Sequence, residues 1–105
     1  MNIFIVGDGK VGFTLAEHLS QEEHNVTVID TNSDALRRAS ESLDVMCVKG
    51  NGASLSALRE SGVETADIVI AATSLDEVNM VCCLTAKRLG AKYTIARVRN
   101  VEYAK

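Results

Sequence analysis

The chain contains no proline and no tryptophan, and aromatic residues make up only 4% of its 105 residues. The absence of proline is typical of a protein that consists almost wholly of helices and strands joined by short connections. No apolar run approaches the ~20 residues of a membrane-spanning helix, so we expect no direct membrane insertion. The net charge of −3 leaves no excess of basic residues and argues against nucleic acid as a partner.

Cysteine and histidine are also scarce. Cys47, Cys82 and Cys83 make an odd number, and all three stand in apolar surroundings, which indicates reduced packing residues of a cytoplasmic protein. His18 and His24 are not close to these cysteines in the sequence, so we predict no metal site. Neither histidine is accompanied by a nucleophile or a second base, and we predict no catalytic role for them.

A glycine-rich loop follows a short apolar run at the beginning of the chain. Residues 2–6 are typical of a strand that is buried on both faces of a parallel sheet. Gly7, Gly9 and Gly12 then form the pattern Gly-x-Gly-x-x-Gly at the start of a helical segment. The first glycine permits a tight turn, the second lets the backbone approach a pyrophosphate, and the third lets the helix lie close to the strand. We therefore predict that this loop binds phosphate groups.

An acidic residue, Asp30, ends the second β-type run, 18 residues after Gly12. A carboxylate at the carboxyl end of such a strand can accept both hydrogen bonds of a ribose diol. It also repels a 2′-phosphate, so NAD or a simple adenine nucleotide should be preferred to NADP. The alternative is that Asp30 only caps the following helix, because residues 31–33 form a capping stretch.

The remaining sequence continues this alternation of strand and helix. We predict strands over 2–6, 26–30, 45–48, 67–72 and 93–98. We predict helices over 10–22, 33–43, 54–61 and from a capping box at Ser74 and Glu77 to Leu89. With right-handed crossovers, residues 1–105 form one α/β domain, a Rossmann-like doubly wound parallel sheet with strand order 3-2-1-4-5.

Three further places at the carboxyl edge of the predicted sheet are candidate ligand contacts. The turn after strand 3 contains Gly and Asn residues that tolerate positive φ, and it is either a plain connection or brings Asn51 and Gly52 to an adenosine. After strand 4, the small residues Ala72 and Thr73 leave room for a nucleotide where the winding direction reverses. Arg97 at the end of strand 5 either reaches the far end of the ligand or is an ordinary surface residue.

Six motifs along the chain together resemble those of a known family. They occupy residues 7–12, 28–30, 50–52, 72–79, 89–92 and 96–100. The most specific are Asp-Glu-x-Asn after strand 4 and Ala-Arg-Val in strand 5. In order and spacing they are similar, over the whole chain, to the N-terminal domain of Trk/Ktr-type potassium-uptake regulatory proteins, also called the regulator of potassium conductance domain.

The resemblance implies a cytoplasmic regulatory domain, not an enzyme, that binds NAD(H) or alternatively ATP, ADP or AMP. It implies homodimers or higher oligomers that gate a membrane potassium transporter or channel subunit at the inner face of the membrane. Carried over by position, the site consists of Gly7, Asp8, Gly9, Lys10 and Val11 at the phosphates, Asp30 at the ribose, Asn51 and Gly52 at the adenosine, Thr73 and Ser74 at the centre and Arg97 at the far end.

Two features depart from the family pattern. Lys10 stands where many members carry arginine, and it keeps the positive charge but loses the planar guanidinium. The sequence also stops where the family continues into a crossover helix, a last strand and a second regulatory domain. We therefore expect a fragment of a longer chain.

The helix that ends at Leu89 is predicted to be apolar on two sides. Helical spacing places Val78, Val81, Cys82, Thr85, Ala86 and Leu89 toward the sheet, and Met80, Cys83 and Leu84 away from it. Two copies can cover the outer side through a two-fold contact. The alternative is that the outer residues are scattered exposed side chains, which are common on monomers.

Two functions from another class share the predicted fold, because a fold does not determine a function. One is a small NAD-dependent oxidoreductase, and the other is a nucleotide-binding fragment of an unrelated multidomain enzyme. A dehydrogenase needs a proton donor beside the nicotinamide. Tyr93 and Tyr103 have no suitably spaced lysine in a helix, and the histidines lie far from strands 4 and 5 in this topology, so we predict no catalytic residues.

Overall fold

Five parallel strands form a single sheet with helices on both faces. The computed structural model describes residues 1–103. The strands, in the order β3-β2-β1-β4-β5 across the sheet, are β1 Asn2–Val6, β2 Asn25–Asp30, β3 Met46–Lys49, β4 Ile68–Ala71 and β5 Tyr93–Ala96. Every neighbouring pair is parallel. The predicted Rossmann-like, doubly wound fold and its strand order are confirmed.

Four α-helices connect the strands, as predicted. They are α1 Lys10–Gln21, α2 Ser33–Ser42, α3 Leu55–Ser61 and α4 Asp76–Leu89. A short 3₁₀ helix, Val63–Thr65, precedes β4 and was not predicted. Among residues 1–103, none of the helices has the length and apolar character needed to cross a membrane.

The central strand β1 is buried on both faces, which confirms the interpretation of its apolar run. Ile3 and Ile5 belong to the core beneath α1 and α2, whereas Phe4 and Val6 belong to the core beneath α3 and α4. Because successive side chains of a strand point to opposite faces, a strand between two helical layers needs apolar residues at every position. The amphipathic helices supply the other half of each core.

Three glycines allow other segments to come close to the carboxyl end of β1. Gly7 has a φ of +100°, and a Cβ there would lie 2.8 Å from the backbone nitrogen of Thr73. A Cβ on Gly12 would lie 1.8 Å from the Gly7 carbonyl oxygen, and one on Gly52 would lie 2.4 Å from Val6 Cγ1. The predicted reasons for the first and third glycines of the loop are confirmed. The turn after β3 does not adopt positive φ, so Gly52 is needed for its close packing instead.

The predicted capping box at the start of α4 is wrong. The helix begins at Asp76, and its N-cap residue Leu75 makes no side-chain capping bond. Ser74 lies one residue too early to cap the helix, and its carbonyl accepts a hydrogen bond from the Arg99 side chain. The carboxylate of Asp76 accepts hydrogen bonds from the backbone N–H groups of Arg99 and Asn100, at 3.0 and 2.7 Å. The polar groups at this end of α4 thus bind the segment after β5.

The face of α4 that packs on the sheet also differs from the prediction. Cys83 is buried rather than turned outward, and Val81 is 46% exposed rather than turned inward. Leu84 is exposed, as predicted, at 61%. The physical reason is Asn79, which is completely buried and turns the stripe of residues 79, 82, 83 and 86 toward the sheet. A hydrophobicity pattern counts an asparagine as a solvent-facing residue and therefore misplaces the buried stripe.

The contact between α1 and β1 predicts that alanine destabilises the fold at one glycine of the loop but not at another. Gly12→Ala should lower the free energy of unfolding by at least about 1–3 kcal/mol, because the new methyl group overlaps the Gly7 carbonyl. Gly9→Ala is the matched control, since no atom lies within 4 Å of its added Cβ. Thermal unfolding measures both, at about 4–8 °C per kcal/mol. Equal melting temperatures for the two variants would contradict this account of the packing.

Candidate functional site

A cavity of about 460 Å³ opens at the carboxyl ends of the strands, beside β1, where the strand order reverses. This volume is within the range of about 300–1,000 Å³ that is usual for small-molecule sites. All the predicted site residues except Asp8 and Gly12 line it. They are Gly7, Gly9, Lys10, Val11, Asp30, Asn51, Gly52, Thr73, Ser74 and Arg97.

The glycine loop forms an anion-binding end of the cavity. The N-cap residue of α1 is Gly9, which has no side chain to accept from the N–H groups of the first helical turn. The space around Gly9 is open, so a ligand can approach the backbone. Free N–H groups and the positive end of the helix dipole favour a negative charge here, and Lys10 adds a cation on the same wall. The loop therefore fits a phosphate group.

Asp30 lies beside the loop, and its carboxylate is held by two backbone N–H groups. Asp30 Oδ2 accepts from Asp8 N at 2.6 Å, and Oδ1 accepts from Asn32 N at 2.8 Å. The cap of α2 is Asn32, which accepts from the N–H groups of Asp34 and Ala35, so the alternative that Asp30 caps this helix is wrong. A carboxylate has about four acceptor positions, and those that remain can accept ribose hydroxyls in the cavity.

The side chain of Asp8 is buried outside the cavity wall. Only 5% of the residue is exposed, and among residues 1–103 neither carboxyl oxygen has a hydrogen-bond partner. Burial, followed by the negative charge of Asp30, raises the pKa of Asp8 to about 6, against the opposing effect of Arg38. The Asp8 backbone N–H is already donated to Asp30. The geometry therefore gives no support to the predicted phosphate contact of Asp8.

The far wall of the cavity comes from the chain after β4 and β5. Thr73, Ser74 and Arg97 line this wall, and the buried Asn79 lies behind it. Asn79 Oδ1 accepts from the Thr73 backbone and hydroxyl at 2.9 and 2.7 Å. Asn79 Nδ2 donates to the carbonyls of Thr73 and Arg97 at 3.1 and 2.9 Å. No role was predicted for Asn79 from the sequence, although it belongs to the specific Asp-Glu-x-Asn motif.

Several wall residues were not assigned from the sequence. They are the apolar residues Val6, Ile29, Leu75 and Val78, together with Thr31 and Gly50. Most of them stand next to a predicted site residue at the end of a strand, so their position in the topology was the available signal. Their chemistry is that of ordinary core or turn residues, and a pattern of residue types alone does not distinguish them.

The parallel sheet, the glycine loop and the cavity at the reversal of strand order define a nucleotide-binding domain of the Rossmann class. The Asp-Glu-x-Asn and Ala-Arg-Val motifs of its far wall narrow this class further. The chain belongs to the TrkA-N domain family, whose family model matches residues 3–105.

Curated relatives cover nearly the whole chain. It is 49% identical over 104 residues to the Trk system potassium uptake protein TrkA of Halomonas elongata, and 46% identical over 103 residues to a homolog of that protein in Archaeoglobus fulgidus. These alignments include 98% of this chain but only 23% of each relative. The chain thus spans less than a quarter of the length of these relatives.

Solved structures share the fold. The GsuK channel superposes with a TM-score of 0.83 at 27% identity, over 97% of this chain and 18% of the channel chain. The NAD(P)-binding domain of an exopolyphosphatase-related protein from Archaeoglobus fulgidus has a TM-score of 0.83 at 19% identity, over 95% and 74% of the two chains. The Kef CTD of Shewanella denitrificans in its AMP bound form has a TM-score of 0.73 at 16% identity, over 90% and 57%.

The unpaired carboxyl of Asp8 predicts a specific dependence of stability on pH. Its pKa of about 6 in the folded protein is above the ordinary 3.8, so folding strengthens proton binding. The resulting stabilisation is complete below the ordinary pKa and is lost as the pH rises through the folded value. Between pH 5 and pH 8 the free energy of unfolding should fall by about 1 kcal/mol from this group.

Urea unfolding at the two pH values tests this prediction. Asp8→Asn, which keeps the shape of the neutral acid, should remove this part of the fall. Asp34→Asn is the control, because Asp34 is exposed on α2. If Asp8→Asn and the parent protein lose the same stability between the two pH values, Asp8 is ionised without cost in the folded state.

Proposed function

We propose that residues 1–105 are a regulatory domain that binds NAD(H) or an adenine nucleotide and passes the binding free energy to a membrane potassium-uptake protein. The observation that carries the proposal is one cavity lined by both an unblocked helix N-terminus at Gly9 and the oriented carboxylate of Asp30. These groups match the phosphate and the ribose of a nucleotide. The relatives named Trk system potassium uptake protein support the regulatory role.

NAD(H) is the ligand that the proposal favours, with ATP, ADP or AMP as alternatives. The carboxylate of Asp30 lines the cavity at the proposed ribose position, and a 2′-phosphate would be repelled there. The likeness to an NAD(P)-binding domain and to a structure in AMP bound form is consistent with both classes of ligand. The apolar wall residues Leu75 and Val78 leave the far half of the cavity suited to a ring.

The proposed partner is the pore-forming subunit of a potassium transporter or channel. The domain would act in the cytoplasm and reach the inner face of the membrane through this partner. The likeness to the GsuK channel supports an arrangement in which such a domain is coupled to a pore. A ligand shifts a pore between two states only by its difference in affinity for them, so the nucleotide must bind one state of the assembly more tightly.

A role as an oxidoreductase has less support. The cavity wall formed by the described residues contains no histidine and no tyrosine that could donate a proton to a carbonyl substrate. We therefore propose binding without catalysis. Incubation with NADH and a panel of carbonyl acceptors tests this proposal, because sustained oxidation of NADH would establish an enzyme instead.

Ligand-induced stabilisation provides the direct test of nucleotide binding. A ligand at a hundred times its dissociation constant adds about 2.7 kcal/mol to the free energy of unfolding, and each kcal/mol raises the melting temperature by about 4–8 °C. We expect NAD, NADH or an adenine nucleotide to produce such a shift, and NADP to produce a smaller one. A melting curve that none of these ligands changes would end the proposal.

Substitution of Asp30 tests the ribose contact. Asp30→Asn keeps the size of the side chain but removes the charge, so it should weaken NAD binding and narrow the preference for NAD over NADP. Asp34→Asn, on the exposed face of α2, is the control for a change of net charge. Calorimetric titration measures both. If Asp30→Asn binds NAD as the parent does, Asp30 has only the structural role that its two N–H contacts show.

We further propose that the domain assembles through the outer face of α4, which in the structure presents Val81 and Leu84. Val81 and Leu84 lie one turn apart and are both exposed, which leaves apolar surface for a second copy to cover. Sedimentation should show a dimer for the parent and a monomer for Val81→Glu with Leu84→Lys. Leu55→Lys is the control, because Leu55 is equally exposed on α3. A double variant that still dimerises would exclude this face.

A further inference from the structure

The side-chain amide of Asn79 has no hydrogen-bonding capacity left unused. Its oxygen accepts two hydrogen bonds, from the Thr73 backbone and hydroxyl, and its nitrogen donates two, to the carbonyls of Thr73 and Arg97. Asn79 is 0% exposed, so its amide makes these four bonds out of contact with solvent. All the groups that Asn79 holds belong to the far wall of the cavity or lie next to it.

Asn79 forms hydrogen bonds to the chain just beyond the ends of β4 and β5. Regular pairing of β4 with β5 stops at Ala71 and Ala96, and one further bond joins Arg97 N to the Ala71 carbonyl at 2.8 Å. After this bond, the segment that follows β4 and the segment that follows β5 are no longer paired as strands. Asn79 joins the two segments, because its amide donates to the carbonyls of both Thr73 and Arg97. The position of the Arg97 backbone relative to Thr73 therefore depends in part on an amide that does not line the cavity.

Asp76 holds the same segment from its exposed side. Its carboxylate accepts from the backbone N–H groups of Arg99 and Asn100, and these two bonds lower the pKa of Asp76. Asn79 and Asp76 lie on neighbouring parts of the first turns of α4. The start of this helix thus anchors residues 97–100 through one buried and one half-buried side chain.

The near half of the cavity is built differently. The glycine loop and Asp30 belong to β1, β2 and their connections, and backbone pairing across the sheet holds them in place. The near half of the cavity is the part lined by the glycine loop and Asp30, which match a phosphate and a ribose. The far half is the part lined by Arg97, Leu75 and Val78. A mononucleotide can make all its contacts in the near half of the cavity, but a dinucleotide needs contacts in both halves.

We propose that Asn79 is a positioning residue that sets the far half of the cavity and thereby makes this domain prefer dinucleotides to mononucleotides. The inference rests on the proposed nucleotide binding and adds which part of the cavity discriminates between ligands. Loss of the Asn79 amide frees Arg97 and Thr73 from their relative placement while the phosphate loop and Asp30 stay in place. The affinity for NAD then falls toward that for AMP.

Calorimetric titration of NAD and AMP against the parent and Asn79→Ala tests the proposal. The parent should bind NAD more tightly than AMP. Asn79→Ala should lower the affinity for NAD about tenfold, which corresponds to the loss of one hydrogen bond between the ligand and the charged Arg97 side chain. The affinity for AMP should stay unchanged. A purely structural role would lower both affinities together, and that result would overturn the proposal.

A second variant tests the proposal independently, in case Asn79→Ala does not fold. Asp76→Ala removes the half-buried carboxylate that holds Arg99 and Asn100, outside the core, and it should also lower the ratio of the NAD affinity to the AMP affinity. Glu77→Ala is its control, since Glu77 is the neighbouring exposed acid on α4. If Asn79→Ala does not fold and Asp76→Ala keeps the parent ratio, the proposal fails. Equal affinities for NAD and AMP in the parent, or no binding of either, overturn the role of Asn79. Only a parent that also binds no NADH, ATP or ADP overturns the proposed function as well.

Discussion

The absence of side-chain space around Val6 and Gly7 is the constraint on which the sheet, the first helix and the cavity all depend. Backbone or side-chain atoms approach this point from α1, from the chain after β4 and from the turn after β3. Glycine at positions 12 and 52 makes these approaches possible, and the φ of +100° at Gly7 turns the chain into the helix. As a result, the N-terminus of α1 and the end of β2 face the same cavity, so that one ligand can reach both.

The electrostatics of this region contain one unfavourable element. The side chain of Asp8 is buried without a hydrogen-bond partner among the described residues. The backbone N–H of the same residue donates to the carboxylate of Asp30 and so orients it. Buried carboxyl groups without partners weaken a fold, and sequences that break such rules tend to do so close to functional sites. Within the cavity wall itself, Asp30 supplies a negative charge, while Lys10 and the helix dipole supply positive charge at the glycine loop.

The rotation of α4 shows how a single polar residue outweighs apolar burial. Full burial of a valine is worth about 1.5–3 kcal/mol, and Val81 remains half exposed. Leaving one buried polar group unpaired costs about 1–3 kcal/mol, and the buried oxygen and nitrogen of the Asn79 amide are both paired, through four hydrogen bonds. The hydrogen bonds therefore determine which side of the helix faces the sheet, and Cys83 is buried as a consequence. The same bonds shape the far wall of the cavity.

The sequence by itself determined the alternation of strands and helices, the strand order and most of the cavity wall. These follow from local patterns: apolar runs, helical spacing, a glycine loop directly after a strand, and an acid at the end of the next strand. Only the tertiary structure decided the start and rotation of α4 and the burial of Asp8. The start and rotation of α4 and the environment of Asp8 depend on partners that stand 18 to 24 residues apart, as in the contacts of Asn79 with Arg97, Asp8 with Asp30 and Asp76 with Asn100. Local periodicity carries no information on such pairs, because each becomes a neighbour only after the strands have paired.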